Sequence, residues 1–197
     1  MARVRSSDRR LEILEAAEAV LAAKGYRAAT VRDIGERAGI LSGSLYHHFG
    51  SKEAMVGELI GEFLELVVGR LGRAVAEGSG PEERLRLLMA ENSALVQQRP
   101  AMVTLLYNDW PLLRELPTFA PLRRMYAQIG EVWTEVLRDG AAQGVFAESL
   151  DAGLMYRSIQ AASMSTVRWL AVGGALSAEQ VLQQQTELFI NGLSHKA

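Results

Sequence analysis

The sequence predicts an all-α protein of about nine helices, with a three-helix head and a larger helical body. Three observations carry that prediction. Apolar residues recur at spacings of three and four along nearly the whole chain. No stretch of useful length alternates apolar and polar residues as a half-buried strand does. Glycines, prolines and short hydroxyl or carboxylate residues punctuate the periodic stretches, where helices stop and start.

Residues 9–24 place Ile13, Leu14, Ala17, Val20 and Leu21 on one stripe, and Gly25 stops it. Thr30, with Asp33 three residues on, forms a capping-box pattern for a short helix closed by Gly39. Ser42 is expected to cap a second short helix, GSLYHHF, that ends at Gly50. Ser51 caps the next helix, from Lys52 to about Glu77, and the tract Gly78-Ser79-Gly80-Pro81 breaks it. Helices are expected at 82–98 and from Pro100 to about Tyr107. Pro111, Pro117 and Pro121 make 108–121 bent or irregular. A long helix is expected at 122–143, before Gly144. Asp151 starts another that Gly173-Gly174 breaks, and Ser177 with Gln180 caps the last.

The 197-residue chain is 49% hydrophobic and 22% charged, so disorder as the main state is excluded. It has no cysteine, which excludes disulfides, thiolate metal sites and a cysteine nucleophile. The net charge of −2 hides an asymmetry: residues 1–52 carry nine Lys/Arg against six Asp/Glu. A slightly basic head on an acidic body fits a localised anionic partner. Glu12, Glu15 and Glu18 cut the first apolar stretch, so it is no secretory segment. No apolar run reaches the ~18 residues of a membrane span. The expected location is the cytoplasm.

The helices 30–38 and 42–49, joined by Gly39-Ile40-Leu41, have the spacing of a helix-turn-helix. Leu45 and Phe49, at i and i+4, give the second helix a packed face. Gly43, Ser44, Tyr46 and His47 fall to the other side, small or planar hydrogen-bonders without an acidic group. Such a surface suits phosphates and base edges.

The tract TVRDIGERAGILSGSLYHHFGSKEAMV, residues 30–56, resembles the DNA-binding signature of the TetR/AcrR family of bacterial transcriptional regulators. The match covers about the first quarter of the chain. The resemblance implies a nine-helix homodimer, with a DNA-binding domain at 1–52 and a ligand-binding and dimerisation domain at 53–197. It implies DNA contacts at Thr30, Arg32, Ser42, Gly43, Ser44, Tyr46, His47 and Lys52, with Lys52 as a phosphate clamp. Arg3 and Arg5 precede the first helix, as basic arms do in some relatives.

Adjacent His47 and His48 point about 100° apart on a helix and make a poor chelate, so no metal is expected. No cofactor and no catalytic constellation is expected either: the serines lack a base at readable spacing. The body carries Tyr107, Trp110, Phe119, Met125, Tyr126 and Trp133 around its proline-bent segment, with Met164, Arg168 and Trp169 further on. Gaps lined by aromatics and methionine fit apolar ligands. Arg168 lies in the weakly polar run SMSTVRWLAV, where a lone charge needs a partner such as a ligand's phosphate or carboxylate, or Glu131 or Glu135. The tracts GILSGSLYHHFGSKEAMV and STVRWLAVGGALSAEQVLQQQ resemble those of TetR-family regulators of steroid and fatty-acid catabolism, several of which respond to acyl-CoA. The expected function is therefore a homodimeric repressor of a palindromic double-stranded operator, released by a small lipophilic effector such as an acyl-CoA thioester. The alternatives are a multidrug-type sensor repressor and a binding module that does not act through DNA.

Overall fold

The computed structural model of the chain describes residues 2–172 and 176–193, with side chains at 9–166, 176–177 and 179–193. Among the described residues are nine α-helices and no strand. In order they are α1 (Ala2–Ala28), α2 (Val31–Ala38), α3 (Ser42–His48), α4 (Lys52–Glu77), α5 (Pro81–Gln98), α6 (Pro100–Leu113), α7 (Ala120–Ala142), α8 (Ala152–Val172) and α9 (Ala178–Leu193). A short 3-10 turn, Pro117–Phe119, precedes α7.

The local caps form as their residue types dictate. Thr30 Oγ1 accepts from the Asp33 N–H at 3.1 Å, and Asp33 Oδ2 accepts from the Thr30 N–H at 2.9 Å. Ser51 Oγ accepts from the Ala54 N–H at 3.0 Å, and Asp151 Oδ1 from the Leu154 N–H at 2.7 Å. Ser177 and Gln180 exchange the two bonds of a capping box before α9.

Three elements depart from expectation. Helix α1 begins at Ala2 and carries on past Gly25, whose φ of 70° and ψ of 169° break the helical path without ending the element. Helix α6 runs through Pro111 to Leu113. Pro111 faces solvent, while buried Leu106, Trp110 and Leu113, at helical spacing, hold the turn on either side of it. Ser42 is the first helical residue of α3, not its cap; Leu41 takes the capping position with no side-chain bond.

The packing divides into two units, Met1–Leu64 with Ala101–Arg123, and Glu65–Pro100 with Arg124–Ala197. The division crosses α4 at Leu64. In the first unit α1 packs on α2 and α2 on α3, and its buried residues include Ile13, Ile34, Leu45, Phe49, Ile60 and Phe119.

In the second unit α5, α8 and α9 pack on one another. A polar seam joins them: Asn92 Nδ2 donates to Ser163 Oγ at 2.7 Å, and Gln185 Nε2 to the Ala162 carbonyl at 3.2 Å. No buried side-chain polar atom among the described residues lacks a partner. In the last turn of α7 stands Gly140, against which the Phe146 ring lies so closely that a Cβ there would fall 2.1 Å from it. Val145 and Phe146 both donate their N–H to the Gly140 carbonyl, at 2.9 and 3.1 Å. Phe146 is buried, and the Ala147 N–H then bonds the Leu193 carbonyl at 3.0 Å, tying this turn to the end of α9.

Candidate functional site

The turn between α2 and α3 is set by close backbone approach. Gly39 takes a left-handed conformation at φ 65°, and the Ile40 N–H donates to the Gly35 carbonyl at 2.9 Å. Gly35 is buried in α2, and a Cβ there would stand 2.9 Å from the Ile40 carbonyl oxygen. Only glycine lets the turn lie this low on the helix.

Helix α3 has the two faces expected. Leu45 and Phe49 are buried, whereas Gly43, Tyr46 and His47 are exposed and Ser42, Ser44 and His48 half-buried. No acidic residue lies in α3. Thr30 and Arg32 are exposed at the start of α2, with Arg32 paired to Glu36 at 2.8 Å. Arg3 and Arg5 lie in α1, but their side chains are outside the described residues.

Two adjacent arginines of α1 hold the far ends of these helices. Arg9 Nη2 donates to the Ala38 carbonyl at 3.2 Å, at the end of α2. Arg10 Nη1 donates to the His48 carbonyl, at the end of α3. A cation at a helix C-terminus satisfies carbonyls that lack intrahelical partners and opposes the dipole. Arg10 also pairs through both Nε and Nη2 with the Glu58 carboxylate of α4 and lies 4.1 Å from the Phe49 ring centroid. The Glu58 bonds raise its pKa further above the arginine range. Sequence reasoning missed both arginines, because their partners lie 29 and 38 positions away. Arg10→Met should keep the cover over Phe49 but release the end of α3. The expected result is a loss of about 1 kcal/mol in chemical denaturation, discounted for solvent screening. Unchanged stability would show that the three contacts do not hold α3.

Lys52 lies on α4 and not on α3. It is half-buried at the start of α4, where its Nζ donates to the Tyr26 carbonyl and sits 4.2 Å from the Tyr26 ring centroid. Burial lowers its pKa, against the opposing charges of Glu53 and Asp109. Tyr26 is the meeting point of four segments. Its N–H donates to Asp109 Oδ2 of α6 at 3.2 Å, its hydroxyl to Glu53 Oε1 at 3.1 Å, and its ring meets Phe119 edge-on at 6.3 Å. Burial first, then the Glu53 bond, pushes the phenol up to about 12. Lys24 and Thr30 together hold the Asp33 carboxyl down at about 2.

The aromatic candidates fall in both units. In the first, Tyr107 is exposed while Trp110 and Phe119 are buried. In the second, Trp133 and Met164 are buried and Met125 and Tyr126 half-buried. Trp133 stacks at 35° on Tyr156 of α8, with ring centroids 6.1 Å apart. Tyr156, which sequence reasoning missed, fits over Gly130, where a Cβ would lie 3.3 Å from its ring. Burial, and after it Tyr126, raises the Tyr156 phenol above its ordinary range. The side chains of Arg168 and Trp169 lie outside the described residues. Among the described residues, no three His, Asp or Glu side chains gather as a metal site, and no helix is long and apolar enough to cross a membrane.

Residues 13–59 match the family model for bacterial regulatory proteins of the tetR family, and residues 78–193 the model for a tetracyclin repressor-like C-terminal domain. The chain is 38% identical to the HTH-type transcriptional repressor KstR2 of Mycolicibacterium smegmatis, over 95% of this chain and 92% of that one. It superposes on the ketosteroid transcriptional regulator KstR2 of Mycobacterium tuberculosis with a TM-score of 0.87 and 39% identity, covering 95% and 96% of the two chains. AibR, solved in complex with isovaleryl coenzyme A and operator DNA, shares the fold at a TM-score of 0.81 and 21% identity, covering 91% of this chain and 97% of that one.

Proposed function

Because this chain belongs to the tetR family of bacterial regulatory proteins, we propose that it is a homodimeric, cytoplasmic repressor that binds a palindromic operator and leaves it when a lipophilic acyl-CoA thioester binds the body. The observation that carries the DNA half is the open face of α3. Its Gly43, Tyr46 and His47 are exposed and acid-free on a helix clamped at both ends, by Gly35 beneath its entry and Arg10 at its exit. Such a helix presents base-reading groups at fixed positions in a major groove. Ser42, Ser44, Thr30 and Arg32 extend the contact, Arg3 and Arg5 reach along the backbone, and Lys52 has two N–H groups left for a phosphate.

The dimer is proposed on α8 and α9, where Leu154 and Leu188 stand exposed at 58% and 70%. An isologous interface matches operator palindromy. The functional boundary is placed at 52/53. The effector reading rests on the relatives named as ketosteroid regulators, and on the buried aromatic body, in which Tyr126, Trp133, Met125 and Met164 surround the apolar part of a ligand. Tyr107, Trp110 and Phe119 of the first unit, and Arg168 and Trp169, stand as separate candidates for ligand contact. The thioester drives release only as far as it binds the non-operator geometry more tightly.

The test is fluorescence anisotropy with the DNA upstream of the protein's own gene, with and without fatty-acyl and steroid-acid thioesters and the free acids. Tyr46→Phe should weaken binding about fivefold per half-site, the worth of one hydrogen bond in each. Lys52→Ala should lower the slope of log K against log salt by about 0.9 per half-site, about 1.8 for the dimer. Wild-type behaviour of both variants would remove the assignment of this face. Release by an uncharged drug-like compound but by no thioester would make the protein a multidrug-type sensor. Ligand binding without any operator binding would make it a binding module.

A further inference from the structure

The residue that opens α3 is an anomaly in chemical terms. Helix-capping positions favour Asn, Asp, Ser and Thr, whose side chains accept a bond from the first turn. Here the position holds Leu41, at φ −67° and ψ 141°, with no side-chain cap bond. Leu41 is also 81% exposed, more than any other large apolar side chain among the described residues. The backbone that carries it is held on both sides. Its neighbour Ile40 is pinned by the bond to the Gly35 carbonyl, and the Leu41 carbonyl accepts from the Ser44 N–H at 2.9 Å. The turn that seats α3 therefore also holds this isobutyl group out in water, beside Ser42 and open Gly43. A lone exposed leucine elsewhere needs no explanation. This one replaces a helix-stabilising residue at the edge of the reading face.

In the major groove the base edges offer donors and acceptors, and one apolar group, the 5-methyl of thymine. We propose that Leu41 is a specificity-determining residue that reads a thymine in each operator half-site by apolar contact with its 5-methyl. This rests on the reading of α3 as the helix that enters the groove. The contact removes one methyl group and part of one isobutyl group from water, where neither can hydrogen-bond. Cytosine at the same place offers only a ring C–H in a polar setting, and so is discriminated against.

The experiment replaces each operator thymine, symmetrically in both half-sites, by deoxyuridine. That change removes the 5-methyl and keeps base pairing. Affinities are measured for wild type, Leu41→Ala and Leu41→Ser, with thermal unfolding of each variant as a folding control. At one half-site position the wild type should lose about fourfold per half-site, the worth of one buried methyl. Leu41→Ala should bind the thymine and uracil operators equally at that position. Leu41→Ser should do the same while its unfolding temperature holds or rises, because serine restores the missing cap. If the wild type tolerates uracil everywhere, or if Leu41→Ala keeps the full uracil penalty, Leu41 reads no thymine. A wild type that binds no operator at all overturns the repressor reading, and this proposal with it.

Discussion

Gly140→Ala is expected to lower the stability of the second unit by about 2–3 kcal/mol. The sign is informative because two effects oppose each other. In a helix, alanine for glycine normally stabilises by about 1 kcal/mol. Here the new Cβ would lie 2.1 and 2.2 Å from two carbons of the Phe146 ring, which is 1% exposed. Its backbone is also held, since its N–H bonds the Gly140 carbonyl and the next N–H bonds Leu193. Overpacking must therefore win over propensity. Urea denaturation followed by circular dichroism gives the answer. On a Phe146→Ala background, itself destabilised, Gly140→Ala should cost less than it does in the wild type, because the space left by the ring accepts the new methyl. A more stable Gly140→Ala protein would mean that the ring does not sit on this glycine.

The second large effect is on DNA. Gly35→Ala should reduce operator affinity on the order of 100-fold while leaving the helical content intact. The added Cβ meets the Ile40 carbonyl oxygen at 2.9 Å, and that atom belongs to the backbone, so the turn must shift. A shifted turn displaces the whole reading face, and base-edge hydrogen bonds lose strength steeply with misalignment. Gly43→Ala is the matched control for folding, since a Cβ there meets nothing within 4 Å. Its unfolding temperature should be at or above that of the wild type. Equal DNA binding by Gly35→Ala and wild type would contradict the close approach.

How much of this was legible beforehand follows from range. The caps at Thr30, Ser51, Asp151 and Ser177 were readable because donor and acceptor lie three residues apart. The buried face of α3 was readable for the same reason, from Leu45 and Phe49. Gly35 was not, since a glycine inside a helix reads only as a weak helix former until its neighbour across the turn is known. Arg9 and Arg10 gave no signal in the sequence, because their carbonyl partners carry no side-chain signature. Lys52 was read from its signature place as a phosphate clamp, while its hold on Tyr26, 26 positions away, carried no local signal. Among the aromatics, residue types pointed to a lined gap, but neither the burial of Trp110, Phe119 and Trp133 nor a partner such as Tyr156 on α8 could be read locally. Helix α6 outlived Pro111 because packing on both sides outweighed the local break.

The way α3 is mounted separates holding from reading. Gly35, Ile40, Leu45, Phe49 and Arg10 fix its pose, while Gly43, Tyr46 and His47 take no part in fixing it. Under the proposed function, changes at those three positions would alter what is recognised without disturbing the mount. A gene duplicate can therefore drift to a new operator in single steps, each encoding a folded protein. A library randomised at 43, 46 and 47 should yield mostly soluble, thermally intact members with divergent DNA preferences. One randomised at 35, 40 and 45 should yield mostly unfolded ones.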